Sequence, residues 1–163
     1  MKYLSFLFQC VFFLSGCAVS VPGLTSGTEI PLELKGYKTG QEFKECPNKV
    51  VQERFGRVLL CSIDIDSIGD VEVKSASITA LDNYIVMVRF ELSQTTGFSQ
   101  KGLLNALSQK FGPPARGGKP KTHIWTNKSD TLYLEEIQGR LTLHSSKLSE
   151  AQRELSDKRV SDL

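Results

Sequence analysis

A chain of 163 residues has room for one ordinary domain once an N-terminal processing segment is set aside. Its composition, 40% hydrophobic and 23% charged, excludes a disordered or collagen-like chain and implies a buried core. The formal net charge of +2 falls to about +1 when Lys2 leaves with a leader, which excludes a global nucleic-acid footprint.

Lys2, the apolar run Tyr3 to Leu14 and the small pair Ser15-Gly16 before Cys17 read as the charged, hydrophobic and cleavage regions of an export signal. At about 1.5 Å per residue the run covers roughly 18 Å, against about 30 Å of bilayer hydrocarbon, and is too short for a good membrane-spanning helix. The tetrapeptide Leu14-Ser15-Gly16-Cys17 resembles the lipobox of bacterial lipoproteins at every position. That resemblance implies a diacylglyceryl group on the Cys17 thiol, cleavage before it and acylation of the freed amine. Several acyl chains, at about 0.8 kcal/mol per buried methylene, would make the attachment effectively permanent. Ala18 after the cysteine, instead of Asp, implies within that class the outer membrane, at its periplasmic face. The expected organisation is a signal peptide at 1–16, a lipidated tether at 17–28, one α+β periplasmic domain at 29–157 and a frayed tail at 158–163.

Beyond the tether, Leu32 and Leu34 alternate with Glu33 and Lys35, a weak strand pattern over Ile30 to Tyr37. One helical turn is expected between Thr39 and Cys46, broken by Pro47. The apolar run Arg57 to Ile63 suits a buried strand. Val71 to Thr79 is a mixed strand with Ala76 and Ile78 on one face and Val71, Val73, Ser75, Ser77 and Thr79 on the other. After the turn chemistry of Leu81-Asp82-Asn83, Tyr84 to Leu92 is the clearest strand, with Val86, Val88, Phe90 and Leu92 sharing a face, and the two should form a hairpin. Ser99 caps a helix carrying Leu103, Leu104, Leu107 and Phe111, stopped by Gly112-Pro113-Pro114. Strands follow at Thr122 to Thr126, Thr131 to Ile137 and Arg140 to Ser145. A last helix is signalled by a capping box at Ser149 and Gln152 and a narrow stripe of Leu148, Ala151 and Leu155. The expected fold is α+β: an antiparallel meander packed against one main helix, with a C-terminal helix.

With Cys10 in the leader and Cys17 lipidated, Cys46 and Cys61 remain, and in an exported domain they are expected to form a disulfide. A metal is not expected, because the spacing is wide and His123 and His144 lie far away in sequence. No cofactor is implied. Arg116, Lys119 and Lys121 in the segment Ala115 to His123 form a basic loop, either simply solvated or facing phosphates or an acidic partner. Trp125 beside it is either core or an interface anchor. His123 or His144 with Asp130 or Asp82 and Ser145 or Ser146 would be the parts of a hydrolase, but no catalytic spacing joins them. Glu135 and Glu136, adjacent on a strand, point to opposite faces and cannot act as an acid and base pair.

The rhythm of Leu103 to Leu107, Lys110-Phe111-Gly112-Pro113, Trp125, Leu132-Tyr133-Leu134 and Leu141-Thr142-Leu143 is similar to small periplasmic helix-plus-meander modules of the SmpA/BamE-like or beta-lactamase-inhibitor-protein-like kind, across about a third of the chain. That resemblance implies binding to other proteins and carries over no site residue. The expectation is therefore a non-enzymatic binding module, anchored to the membrane through Cys17 and partnered by an envelope protein or complex, with neither nucleic acid nor a small-molecule substrate. A weak hydrolase and a structural tether are the alternatives.

Overall fold

The computed structural model describes residues 30–47, 52–93 and 97–161. The expected leader, Cys17 and the tether lie outside the described residues.

The first described segment departs from the expected strand. Leu34 and Tyr37 exchange backbone hydrogen bonds at 3.0 Å across a tight turn in which Lys35 and Gly36 have φ of 51° and 83°. The apolar alternation still acts, because Leu32 and Leu34 are both buried. Nor is there a helical turn before Cys46. Gly40 N–H donates to the Ile85 carbonyl at 2.7 Å, Ile85 N–H to Gln41 at 2.9 Å and Phe43 N–H to Asn83 at 2.6 Å. A lone helical turn leaves most of its backbone groups unpaired, whereas this extended path pairs them with a neighbouring strand. Cys46 then reaches Cys61, and the two form the expected disulfide with Cα atoms 5.6 Å apart.

The strands are β1 (Gln52–Phe55), β2 (Val58–Ile63), β3 (Ser67–Ile68), β4 (Val71–Leu81) and β5 (Tyr84–Leu92). Helix α1 (Gly97–Phe111) follows, then β6 (Ala115–Arg116), β7 (Thr122–Thr126), β8 (Asp130–Glu135), β9 (Arg140–Ser145) and α2 (Leu148–Ser161). In space they run β1-β2-β4-β5-β9-β8-β7-β6, with β3 paired to β4 off this path. Every pairing is antiparallel. The described residues thus form an α+β fold, mostly antiparallel sheet, with two helices of which one is C-terminal.

Residues paired across strands share a face, so the register separates the two sides of the sheet. One row, Cys61–Ile78–Val88–Leu143–Leu132–Trp125, crosses from β2 to β7 and is buried throughout. Leu103 and Leu107 of α1, with Leu32, Leu34 and Phe43, close over this face. Burial of each such side chain contributes about 1.5–3 kcal/mol, which makes this layer the main source of stability. Trp125 is part of it, with 4% of its surface exposed, and its Nε1–H donates to the Gly112 carbonyl at 2.8 Å. This bond ties the end of α1 to β7.

Two bulges between β4 and β5 overturn the expected faces. The pairing steps from Val73↔Leu92 to Ser75↔Glu91, leaving Lys74 as the extra residue, and from Thr79↔Met87 to Ala80↔Ile85, leaving Val86. An extra residue reverses the alternation. Val73 therefore lies in the same core as Ala76 and Ile78, and Val86 leaves the company of Val88, Phe90 and Leu92. Val86 instead joins Val58 and Leu81 on the opposite face, where Ala151, Leu148 and Leu155 of α2 cover them. This helix starts at Leu148, with Ala151 N–H bonded to the Lys147 carbonyl, so Ser149 lies inside the first turn instead of capping it. It continues to Ser161, past Lys158, where fraying was expected. No described helix is long and apolar enough to cross a membrane.

Candidate functional site

The expected basic loop is the β6–β7 hairpin. Gly117 N–H donates to the Thr122 carbonyl at 2.8 Å, and a Cβ at Gly117 would fall 2.7 Å from the Thr122 methyl, so only glycine lets the strands approach this closely. Lys121, at φ 54°, turns the chain back into β7. The hairpin borders an open cleft of about 630 Å³ that also reaches His123 and Glu136. Arg116, Lys119 and Lys121 are all exposed. Lys119 approaches Glu135 at 3.6 Å, while Arg116 and Lys121 make no ion pair among the described residues. Glu136 N–H donates to the Lys121 carbonyl at 3.1 Å, which brings the β8–β9 turn alongside; the next residue of that turn, Ile137, is 54% exposed. Trp125 is not available as an anchor here, since it is buried beneath α1.

A second set of residues meets on the sheet face away from α1. Arg89 of β5 pairs with Thr142 of β9, which pairs with Tyr133 of β8, and the row continues through Ile124 to Ala115. In the next row Met87 pairs with His144, whose ring stacks on Tyr133 at 5.3 Å between centroids. Across the other flank Arg140 donates from Nε to Glu91 at 2.9 Å and lies 3.9 Å from Glu135. Helix α2 covers only one end of this face, and Leu148 borders the uncovered part. Two buried polar atoms, Arg89 Nε and Thr142 Oγ1, find no hydrogen-bond partner among the described residues. Buried donors are normally paired, so these mark the face as unusual. The sequence signal for them was the polar half of three amphipathic strands, which without the register identifies no cluster.

Of the parts named for hydrolysis, Asp130 and Ser145 are cross-strand partners and border one cavity with Ser146, while neither His123 nor His144 lines it. His123 Nε2 lies 2.6 Å from Glu136 Oε1, with Thr122 and no serine in the same cleft. His144 Nδ1 is near the Ser145 carbonyl at 3.3 Å, while the Ser145 hydroxyl is buried without a partner. Adjacent strand residues diverge, which separates His144 from Ser145. β8 ends at Glu135, short of the expected Ile137, so Glu136 lies in the turn beside His123 while Glu135 faces Arg140. Asp82 is held by Arg57, with Nε to Oδ1 at 2.8 Å, and that bond and charge keep its carboxyl below the ordinary value. Among the described residues no cluster of three or more His, Cys, Asp or Glu could hold a metal.

No protein-family model, curated protein or solved structure matches this chain.

Proposed function

We propose that this protein is an exported envelope lipoprotein, anchored through lipid on Cys17 at the periplasmic face of the outer membrane, that acts as a non-enzymatic protein-binding module. In this reading the domain is an antiparallel meander carried on α1, presented to an envelope protein or complex as an accessory, assembly, inhibitory or exclusion factor. The observation that carries it is the joint exposure of Arg116, Lys119, Lys121 and Ile137 at one end of the sheet. Exposed cations and an exposed aliphatic side chain at the same end of the sheet suit a partner surface with acidic groups and an apolar spot, the charges setting orientation and the apolar contact slowing release. The lipobox supports the anchored half of the reading.

Cross-linking in intact membranes followed by affinity capture tests it, with palmitate labelling in parallel. The native chain is expected to incorporate palmitate and retain one specific envelope protein. A Cys17→Ala form should lose the label and capture less. A form with Arg116→Glu, Lys119→Glu and Lys121→Glu should keep the label and lose the partner. Equal capture by the charge-reversed form would overturn the assignment of this surface, and an unlabelled native chain would overturn the anchor.

A further inference from the structure

We propose that the uncovered sheet face is a second binding site, built for a single carboxylate: the side chain of a glutamate or aspartate on a partner polypeptide, with Arg89 as its anchor. Arg89 stands on β5, at the centre of the strand order. It is half-buried, and among the described residues its Nε has no partner and its one polar contact is Nη2 to the Met87 sulfur at 3.5 Å, a weak acceptor. No carboxylate pairs with it among the described residues. Directly across the strand pair stands Thr142, 7% exposed, whose hydroxyl is likewise unpaired. Both groups border one open cavity of about 240 Å³, whose other sides are Tyr133, His144, Leu148 and the paired Glu135 and Arg140.

A guanidinium fork beside an unpaired hydroxyl matches a planar carboxylate, which accepts from both once the Arg89 and Thr142 side chains turn these buried donors toward the cavity. The stacked Tyr133 and His144 rings offer flat apolar surface to the methylenes that carry it. Charge selects the ligand further. Arg140 and Lys119 are engaged by Glu91 and Glu135, two cations against two carboxylates, which leaves Arg89 as the one uncommitted positive charge. A monoanion balances Arg89, whereas a phosphate near −2 would leave excess negative charge beside Glu135. This site goes beyond the basic end of the sheet and stands or falls without it.

The test is an NMR titration of the purified full-length chain in detergent with N-acetyl-glutamate amide, following the Arg89 Nε–H and the backbone amides of Thr142 and His144. Saturable shifts are expected with a dissociation constant on the order of 1 mM. The neutral N-acetyl-glutamine amide should give none, and inorganic phosphate should bind more weakly than the carboxylate. Arg89→Gln should weaken the interaction at least about tenfold, a loss of about 1.4 kcal/mol. Thr142→Val, close in shape and without the hydroxyl, should weaken it by a smaller factor and serves as the decisive variant if Arg89→Gln fails to fold. Absence of a saturable shift, equal response to the neutral amide, tighter binding of phosphate, or unchanged affinity in Thr142→Val would each overturn the site.

Discussion

The Cys46–Cys61 bridge joins the first described segment to the sheet, and its removal can be followed quantitatively. The two residues are separated by 15 positions and are 7% and 2% exposed. Without the bridge, the segment before Pro47 is held by the burial of Leu32, Leu34 and Phe43 and by its backbone bonds to Asn83 and Ile85. Opening a loop of this length enlarges the unfolded ensemble and destabilises the native state by roughly 3 kcal/mol. Divided by a urea dependence of about 1–3 kcal/mol per molar, that predicts a midpoint lower by roughly 1–3 M. The assay is equilibrium urea unfolding of a Cys46→Ala, Cys61→Ala form, read by fluorescence of the single buried tryptophan, Trp125. The reduced native chain provides a control in which the side-chain volume is kept. Midpoints unchanged in both forms would refute the loop-closure reasoning. A drop in the alanine form alone would show that lost packing, not loop closure, is responsible.

The β4–β5 turn places Asp82 and Asn83 at φ of 52° and 66°, both left-handed, so Asn83→Val should cost about 1–2 kcal/mol and Asn83→Gly should be close to neutral in thermal unfolding. Ala151 is fully buried where α2 meets Val58, Leu81 and Val86, so Ala151→Leu should overpack that contact and lower stability by about 1–3 kcal/mol, with early hydrogen exchange confined to α2. Glu33 accepts a hydrogen bond from Lys110 at 2.7 Å, and that bond and the charges of Lys110 and Lys38 hold its carboxyl below the ordinary 4.5. Because the folded value is the lower one, the stabilisation is complete above about pH 4.5 and is lost as pH falls through the folded value. Glu33→Gln should therefore flatten the acid limb of the stability profile. An unaltered slope in acid titrations of the two forms would show that this exposed pair contributes nothing measurable.

Several elements could be read from the residues alone because their signals are local. The 3–4 spacing from Leu103 to Phe111 with Gly112 behind it marks α1, and the alternation in Leu132-Tyr133-Leu134 and Leu141-Thr142-Leu143 marks β8 and β9. The pairing of Cys46 with Cys61 followed from elimination, given an exported chain. The polar strand Gln52–Phe55 was missed, because its register against β2 and not any apolar alternation makes it a strand. The path from Gly40 to Phe43 was misread for a similar reason, since its partners Asn83 and Ile85 lie far along the chain.

By itself the sequence determined the α+β class, the C-terminal end of α1 and the positions of the β7 to β9 strands, all properties of residues within a few positions of one another; Ser99, expected as the cap of α1, lies inside a helix that begins at Gly97. Tertiary structure alone decided which side chains share a face. The bulges at Lys74 and Val86 reverse the alternation by one residue each, which no propensity reveals, because a bulge is selected by what both faces must bury. Pairing of β5 with β9, across α1 and three intervening strands, brings Arg89 beside Thr142 and Tyr133. Buried polar groups left without partners become visible only there, since satisfaction of a hydrogen bond depends on neighbours in space.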